Sequence, residues 1–342
     1  MEKIALVDLW TVCDKNNNPI GHGIKVGNEY YEYVKNNIYV LQYANKSILN
    51  FLNSTNKREL KYSLTGNEFK IKKIIKTFKS FTEVYNNNNN IWFYVPDIYV
   101  FIYILMLPKK RHKYIVNIYE EYANNKIKNW IYKKALKKID LSFVTNKKLL
   151  SHMHTGILIP DYAYIKDKYE QYNYSFKEER VICIGTMNEK KQLREAVEVF
   201  GKINMPLYIV GQFANEELYN DLNKIKKENI IIENKYVCEN EYYNLLASSR
   251  YCLLPYDSKF YKNRTSGVLQ ECLFMNTIPI CPKEILEFCN VNGIGYDDIN
   301  KLSLKDFNID IESIYSQYNK EKEEFYKADA VKTIINNGIN SI

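Results

Sequence analysis

The sequence Asn263-Arg264-Thr265-Ser266-Gly267-Val268-Leu269-Gln270-Glu271-Cys272-Leu273 predicts a turn that leads into a helix, and Ile278-Pro279-Ile280 predicts the strand that follows. A helix that begins at Ser-Gly presents unpaired backbone N–H groups and the positive end of its dipole, and such an end holds phosphate well. Arg264 precedes the helix start, and Glu271 lies on the same helix. The segment therefore suits a nucleotide diphosphate, with phosphate at the turn and ribose hydroxyls at the carboxylate. The ordinary alternative is a capped helix with a surface arginine and a solvated glutamate.

Strand and helix patterns alternate along the whole chain. Apolar runs in the first half predict strands at 4–9, 38–43, 91–95, 114–119, 141–145 and 156–160, with helical patterns at 25–35, 69–81, 98–107 and 126–139. A second series alternates from 181 to 280. Such alternation predicts parallel sheets with helices on both faces. The predicted fold class is α/β, with two doubly wound, Rossmann-like domains that face each other across a cleft where ligands bind.

Length and charge support two domains. A chain of 342 residues is long enough for two hydrophobic cores. Residues 1–170 contain 27 Lys and Arg against 15 Asp and Glu, whereas residues 171–342 contain 21 against 25. We predict a basic N-terminal domain over 1–170, a second domain over 171–305 and a helical tail over 306–342. The polar, tyrosine-rich stretch 167–179 is the predicted linker.

Composition argues against several classes of protein. No run of 18 or more apolar residues occurs, so no membrane-spanning helix is expected. The sequence enters a strand pattern at Ile4 without a signal peptide, and we expect a cytoplasmic protein. Seven cysteines without any C-x-x-C pair indicate reduced thiols, with neither a disulfide framework nor a zinc site. His112, His152 and His154 show no ligand spacing with acidic residues. No metal site is therefore predicted.

Four segments of the second half follow one another in a recognisable order. They are the strand and loop 181–191, which ends at Lys190 and Lys191, the strand and glycine turn 207–211, the strand 251–256, and 263–271 with its following strand. In this order they resemble the donor domain of retaining GT-B glycosyltransferases, glycosyltransferase group 1 (family 4). The segment 263–271 resembles the E-x7-E motif of that family. The first half resembles the acceptor domain more loosely, with Gly21-His22-Gly23 in place of the glycine-rich loop.

The resemblance implies a glycosyltransferase that moves a sugar from a nucleotide-diphosphate sugar to a saccharide or lipid-linked acceptor in bacterial surface polysaccharide or glycolipid synthesis. It implies retention of configuration and no metal or other cofactor, because protein cations neutralise the leaving diphosphate. It also implies that the C-terminal tail crosses back to the first domain. The implied catalytic residues are Lys191, Arg264 and Asn263; the donor-binding residues are Gly185, Thr186, Lys190, Ser266, Gly267, Val268 and Glu271; and the acceptor-side residues are Gly21, His22, Gly23 and Glu120.

Two positions of the second half depart from the family pattern. Asn263 stands where the first glutamate of E-x7-E usually lies, and it can hydrogen-bond a sugar but carries no charge. Thr186 stands where an arginine often occurs, and Arg264 could supply that charge together with Lys190 or Lys191. Two alternatives follow. One is a non-catalytic GT-B scaffold or partner subunit. The other is a sugar-nucleotide epimerase. Few acid–base groups are expected in the cleft, which argues against an epimerase.

The helix predicted over 126–139 has two interpretations. Ile127, Ile131, Ala135 and Ile139 recur every four residues beside Trp130, and lysines occupy the other faces. A basic amphipathic helix can lie on an anionic membrane surface, which would place the protein on the inner face of the plasma membrane. Alternatively, the helix packs its apolar face into the domain. Nucleic acid is not an expected partner, because no binding motif accompanies the charge.

Overall fold

The computed structural model describes residues 3–21, 23–109, 111–122, 125–153, 156–172, 174 and 176–342. The chain forms two compact units. Unit 1 consists of Met1–Tyr162 together with Asp329–Ile342, and unit 2 consists of Ala163–Ala328. The sequence-based boundaries lay at 170/171 and 305/306, whereas the structure divides the chain after Tyr162 and after Ala328.

Unit 1 is built on a seven-stranded sheet in which every described pairing is parallel. Its strand order is β3-β2-β1-β4-β5-β6-β7. The strands are β1 (Lys3–Val7), β2 (Tyr39–Ala44), β3 (Lys57–Glu59), β4 (Asn90–Phe93), β5 (Lys113–Ile118), β6 (Leu141–Val144) and β7 (Ile157–Leu158). The helices between them are α1 (Gly23–Val34), α2 (Lys70–Asn87), α3 (Ile98–Met106), α4 (Lys126–Leu136) and α5 (Lys147–Ser151), with a 3-10 helix at Lys46–Phe51.

Unit 2 is built on a six-stranded parallel sheet with the order β10-β9-β8-β11-β12-β13. The strands are β8 (Glu178–Ile184), β9 (Leu207–Gly211), β10 (Ile230–Asn234), β11 (Ser249–Leu253), β12 (Ile278–Pro282) and β13 (Ile294–Tyr296). The helices are α6 (Lys166–Glu170), α7 (Leu193–Ile203), α8 (Glu216–Ile225), α9 (Glu239–Ser248), α10 (Ser258–Tyr261), α11 (Gly267–Phe274), α12 (Lys283–Cys289) and α13 (Ile311–Glu324). The last helix, α14 (Ala328–Asn340), belongs to unit 1 from Asp329 onwards.

Two parallel sheets, each with helices between its strands, confirm the predicted α/β class. Sequence patterns missed two short strands, β3 and β13, and four short helices, because segments of three to seven residues are too short to show a clear period. The stretch predicted as a linker, 167–179, holds most of α6 and the start of β8. Helix α6 is held in place because Tyr169 is buried against Tyr243 and Phe274. No helix in the described part of the chain has both the length and the apolar content to cross a bilayer.

Each sheet has one point where the strand order reverses. It lies between β1 and β4 in unit 1 and between β8 and β11 in unit 2. In open α/β sheets ligands bind outside the carboxyl ends of the strands at such a point, because the loops there diverge and leave a crevice. The loops that follow β1, β4, β8 and β11 are therefore the places where the fold favours a functional site.

The carboxyl ends of β8 and β9 meet in a very close backbone contact. A Cβ atom added to Gly211 would lie 1.8 Å from the carbonyl oxygen of Gly185. Both glycines also have positive φ, 104° at Gly185 and 152° at Gly211. A side chain at Gly211 would therefore push away the first residue of the loop that follows β8.

We predict that Gly211→Ala lowers the free energy of unfolding of unit 2 far more than Gly185→Ala does. Gly185→Ala meets only the cost of positive φ, about 1–3 kcal/mol, since nothing lies within 4 Å of its added Cβ. Gly211→Ala also forces a backbone shift, and the free energy of unfolding should fall by more than about 4 kcal/mol. Urea unfolding followed by circular dichroism measures both. Equal losses would contradict the close contact.

Candidate functional site

Backbone hydrogen bonds join the loop after β8 to the segment after β11. The Gln192 amide donates to the Pro255 carbonyl at 2.7 Å, and the Asp257 amide donates to the Lys190 carbonyl at 3.0 Å. Between these bonds, Lys191 and Tyr256 form an antiparallel bridge. Met187 is buried within the same loop, and its amide donates to the Gln212 carbonyl. The position of Lys191 is thus fixed from both sides by backbone hydrogen bonds.

The Lys191 ammonium has no acidic partner in the described part of the chain. Its Nζ lies 3.9 Å from the Met187 Sδ and 6.0 Å from the centroid of the Tyr256 ring. Burial lowers the pKa of this amine below its ordinary value. A cation held away from water and without a counter-charge is stabilised by an anionic ligand, which makes Lys191 a strong candidate for phosphate binding.

Helix α11 begins beside Tyr256. Ser266 precedes its first residue, and the Ser266 hydroxyl lies 3.0 Å from the Tyr256 hydroxyl. Since that side chain is directed to the tyrosine, it makes no capping bond to the first turn of the helix. Gly267 and Val268 therefore begin a helix whose first backbone N–H groups lack a serine cap, as an anion site requires.

Tyr256 is the residue at which these parts converge. It is buried, bridges Lys191 through its backbone and contacts Ser266 through its hydroxyl. Its ring stacks on Tyr261 with centroids 4.1 Å apart. Lys191 and the start of α11, which sequence reasoning linked only by motif order, therefore lie around a single side chain. Tyr256 itself was not predicted, because no motif distinguishes it from the other tyrosines.

Three further predicted residues lie near these loops. Arg264 is exposed, and its guanidinium makes no ion pair with any described side chain. Lys190 is also exposed, with its amine 5.8 Å from the Phe260 ring centroid. Asn263 is half-buried, and Thr186, in the loop after β8, is exposed. The structure thus adds two solvent-facing cations to the half-buried Lys191.

Glu271 is buried, so the interpretation of it as a solvated surface residue is wrong. Its Oε2 accepts a hydrogen bond from the Tyr242 hydroxyl at 2.6 Å, and its Oε1 accepts one from the Tyr243 hydroxyl at 3.2 Å. Burial, followed by the adjacent carboxylate, raises the pKa of Tyr242 well above its ordinary value. The two tyrosines of α9 carry no motif and were missed.

The predicted acceptor-side loop lies at the start of α1 in unit 1. Gly21 has a φ of 84°. His22 lies outside the described residues. A Cβ added to Gly23 would lie 2.2 Å from the Thr11 Oγ1 and 2.6 Å from the Asp8 Oδ2. Glycine is thus required at Gly23 because the loop after β1 packs directly against the first turn of α1.

Unit 1 contains acid–base groups that sequence reasoning missed. Asp8 follows β1 and is fully buried, and burial raises the pKa of its carboxyl. Asp97 follows β4 and accepts from the Tyr99 amide, and burial, with the charge of Glu120 adding to it, raises its pKa to about 6. Both carboxyls belong to unit 1, and the expectation of few acid–base groups in the cleft stays a prediction. A signal existed for Asp97, which follows the predicted strand 91–95, whereas Asp8 lies within the predicted strand 4–9.

Glu121 and His152 form a further pair, 3.1 Å apart between Oε2 and Nδ1. The sequence showed no acidic partner for His152, because Glu121 and His152 are 31 residues apart. Within the residues that the structure describes, no group of three or more His, Cys, Asp or Glu side chains is arranged to hold a metal ion.

Only part of the apolar stripe predicted over 126–139 is buried, and the helix α4 itself ends at Leu136. Ala135 and Ile139 are buried, whereas Ile127 is 73% exposed and Trp130 60% exposed. The C-terminal half of the apolar stripe therefore packs into unit 1, and its N-terminal half faces outward among lysines.

Comparison with known proteins finds similarity in structure only. No family model matches the sequence, and no curated protein matches it. Among solved structures, the N-terminal domain of a Candida albicans trehalose-6-phosphate phosphatase has a TM-score of 0.68 at 10% identity, covering 99% of this chain and 97% of that one. AviGT4, a glycosyltransferase involved in avilamycin A biosynthesis, has a TM-score of 0.62 at 10% identity, covering 99% and 97%.

A third structure widens the range of activities. The UDP-GlcNAc 2-epimerase from Neisseria meningitidis bound to UDP-GlcNAc has a TM-score of 0.57 at 12% identity, covering 100% of both chains. These neighbours thus include a glycosyltransferase, a UDP-sugar epimerase and a phosphatase domain. At such low identity the likeness shows the fold alone, and the fold of this chain is that two-domain α/β fold, known as GT-B.

We predict that Tyr243→Phe lowers the free energy of unfolding by about 1.5–3 kcal/mol, because the buried Glu271 carboxylate loses a hydrogen-bond donor. Tyr172→Phe is the matched control, since its hydroxyl bonds Asn240 at the surface and its loss should change the free energy by less than about 0.5 kcal/mol. Urea unfolding compares the two variants. If both are equally stable, the Tyr243 hydroxyl does not stabilise Glu271.

Proposed function

We propose that unit 2 binds a nucleotide-diphosphate sugar and that the chain transfers this sugar to a saccharide or lipid-linked acceptor. The observation that carries the proposal is the half-buried Lys191 ammonium, which has no acidic partner among the described residues. Tyr256 joins it to the start of α11, where Ser266 makes no capping bond. UDP or UDP-sugar complexes among structures of the same fold support the choice of ligand.

In the proposed reaction the bond between the sugar and the diphosphate breaks, and negative charge develops on the leaving diphosphate. Lys191, Arg264 and the N–H groups of Gly267 and Val268 would stabilise that charge, each well-placed donor contributing about 2.7–4 kcal/mol. Glu271 would accept hydrogen bonds from the ribose. Asn263 would hydrogen-bond the transferred sugar. We propose a retaining, metal-independent reaction, because protein cations supply the charge that a metal ion would supply elsewhere.

The acceptor is the less defined substrate. We propose that it belongs to bacterial surface polysaccharide or glycolipid synthesis and that the protein meets it at an anionic membrane surface. The outward-facing Ile127 and Trp130 of α4, flanked by lysines, support contact with such a surface. Glu120 lies after β5 in unit 1, where a loop group could contact an acceptor hydroxyl.

We predict that Arg264→Ala and Lys191→Met each raise the Kd for UDP by about 10- to 100-fold, because each removes a charge-assisted bond worth about 1.5–3 kcal/mol. Lys259→Ala is the matched control, a basic residue of the same unit with no assigned role. Isothermal titration calorimetry measures the Kd values, with GDP, ADP and CMP as competing nucleotides. Binding that neither substitution weakens would contradict the site.

The depressed pKa of Lys191 gives the site a pH dependence. Only the ammonium form attracts a diphosphate, so affinity should fall as pH rises through a pKa lower than the ordinary lysine value. Bound diphosphate stabilises the ammonium form of Lys191. Binding at alkaline pH should therefore be accompanied by uptake of a proton. Titrations from pH 7 to 10 should show this fall in the native chain and in Arg264→Ala. Lys191→Met should lose it.

A sugar-nucleotide epimerase is the second candidate, and the acid–base groups of unit 1 favour it. An epimerase needs groups that give and take protons near neutral pH, and Asp97, with a pKa of about 6, meets that requirement. The UDP-GlcNAc 2-epimerase of the same fold supports this alternative.

Nuclear magnetic resonance of a nucleotide-sugar panel separates the candidates. We predict that the native chain leaves the donor sugar unchanged without an acceptor and releases UDP only when an acceptor is present. Interconversion of the free donor that Asp97→Asn abolishes would replace the transferase proposal with the epimerase. Nucleotide binding without either reaction would indicate the non-catalytic scaffold.

A further inference from the structure

Helix α2 exposes an unusual amount of apolar surface. Phe69, just before the helix, is 87% exposed, Ile71 is 74% exposed and Ile75 is 51% exposed. The buried residues of the helix lie mostly in its C-terminal half and include Phe81, Val84 and Tyr85. The exposed residues are therefore not needed for packing within unit 1. We call the exposed set, Phe69, Ile71, Ile75, Lys70, Lys72 and Lys79, the α2 surface.

The apolar side chains of the α2 surface line an open groove of about 510 Å³, completed by Tyr62 and Lys76. An exposed apolar groove often marks an interaction site, because a partner that covers it removes apolar surface from water. It lies on unit 1, whereas the proposed nucleotide site lies in unit 2.

Positive charge surrounds this apolar strip. Lys70, Lys72 and Lys79 make no ion pair with the described residues, whereas Lys76 is paired with Glu68 at 2.8 Å. Hydrogen bonds from Lys76 and Thr65, which outweigh burial, lower the pKa of Glu68 to about 2, so this acid stays bound to its partners. The net charge that the α2 surface offers is therefore positive.

We propose that the α2 surface binds an anionic lipid bilayer. Lysines that flank exposed isoleucine and phenylalanine on one helix fit a membrane interface, where apolar side chains enter the acyl boundary and lysines remain at anionic headgroups. Charge complementarity favours this occupant over an unselective apolar partner. A second copy of this chain would bring like charges together and is an outcome for the test to detect.

This proposal extends the membrane contact suggested for α4 to a second helix, and it stands on α2 alone. Helix α3 packs against both helices, so α2 and α4 belong to the same layer of unit 1. Vesicle binding is measured without donor or acceptor. Failure of the transferase proposal would therefore leave this proposal unaffected, and the reverse also holds.

The experiment is co-sedimentation of the full chain with vesicles of phosphatidylcholine alone and with vesicles containing 30% phosphatidylglycerol. We expect binding to the anionic vesicles that weakens in high salt. Ile71→Ser with Ile75→Ser should lower the partition coefficient at least tenfold. Lys72→Gln with Lys79→Gln should lower it about 25-fold, since each lysine near the surface contributes a factor of about five.

Two controls keep the test decisive. Ile127→Ser with Trp130→Ser reports on α4 separately, and Lys259→Gln with Lys305→Gln removes two lysines from unit 2. Amide hydrogen exchange of the native chain should show protection over 69–79 when anionic vesicles are added, a readout that needs no variant.

Three results would overturn the proposal. They are equal binding to neutral and anionic vesicles, unchanged binding by the Ile71→Ser/Ile75→Ser variant when it folds normally, and no protection over 69–79. Size-exclusion chromatography showing a dimer that the same variant abolishes would assign the surface to a second copy instead.

Discussion

The hydrogen-bonded position of Tyr256 is the constraint on which the candidate site depends. Its backbone pairs with Lys191, and its hydroxyl contacts Ser266 at the start of α11. Because it is buried, neither contact is readily replaced by water. The lysine, which would otherwise move freely in a surface loop, is thereby held beside the helix start. The close contact of Gly185 and Gly211 fixes the other end of the same loop.

Charge is distributed differently in the two units. Unit 1 carries lysines on α2 and α4, while Asp8 and Asp97 lie at the carboxyl ends of its central strands. Unit 2 has more acidic than basic residues, yet Lys191 and Arg264 lie in its loops without an acidic partner among the described side chains. The net charge of a unit therefore does not indicate the charge of the groups at its candidate site. The local groups at the strand ends, rather than the sum over a domain, decide which ligand is attracted.

The sequence allowed prediction of most of the fold but less of the site. Long apolar strands and helices such as α3 follow from their periodicity, and the alternation predicts parallel sheets. The short helix α6 was missed because Tyr169 is ordered by contacts with distant residues. Motif order identified Lys191 and the start of α11. It could not identify Tyr242, Tyr243 or Tyr256, since each acts through a side chain far away in sequence, and tyrosine is common throughout this chain.

The pair of phenols on Glu271 has a consequence for molecular recognition. A carboxylate held by Tyr242 and Tyr243 has lost its rotational freedom before any ligand arrives. Binding would then spend little entropy on orienting it, which is the advantage of preorganisation. The same rigidity prevents the carboxylate from adapting to a differently shaped ligand. Selectivity at this position would arise from the fixed orientation of the carboxylate, as it does in a rigid synthetic host.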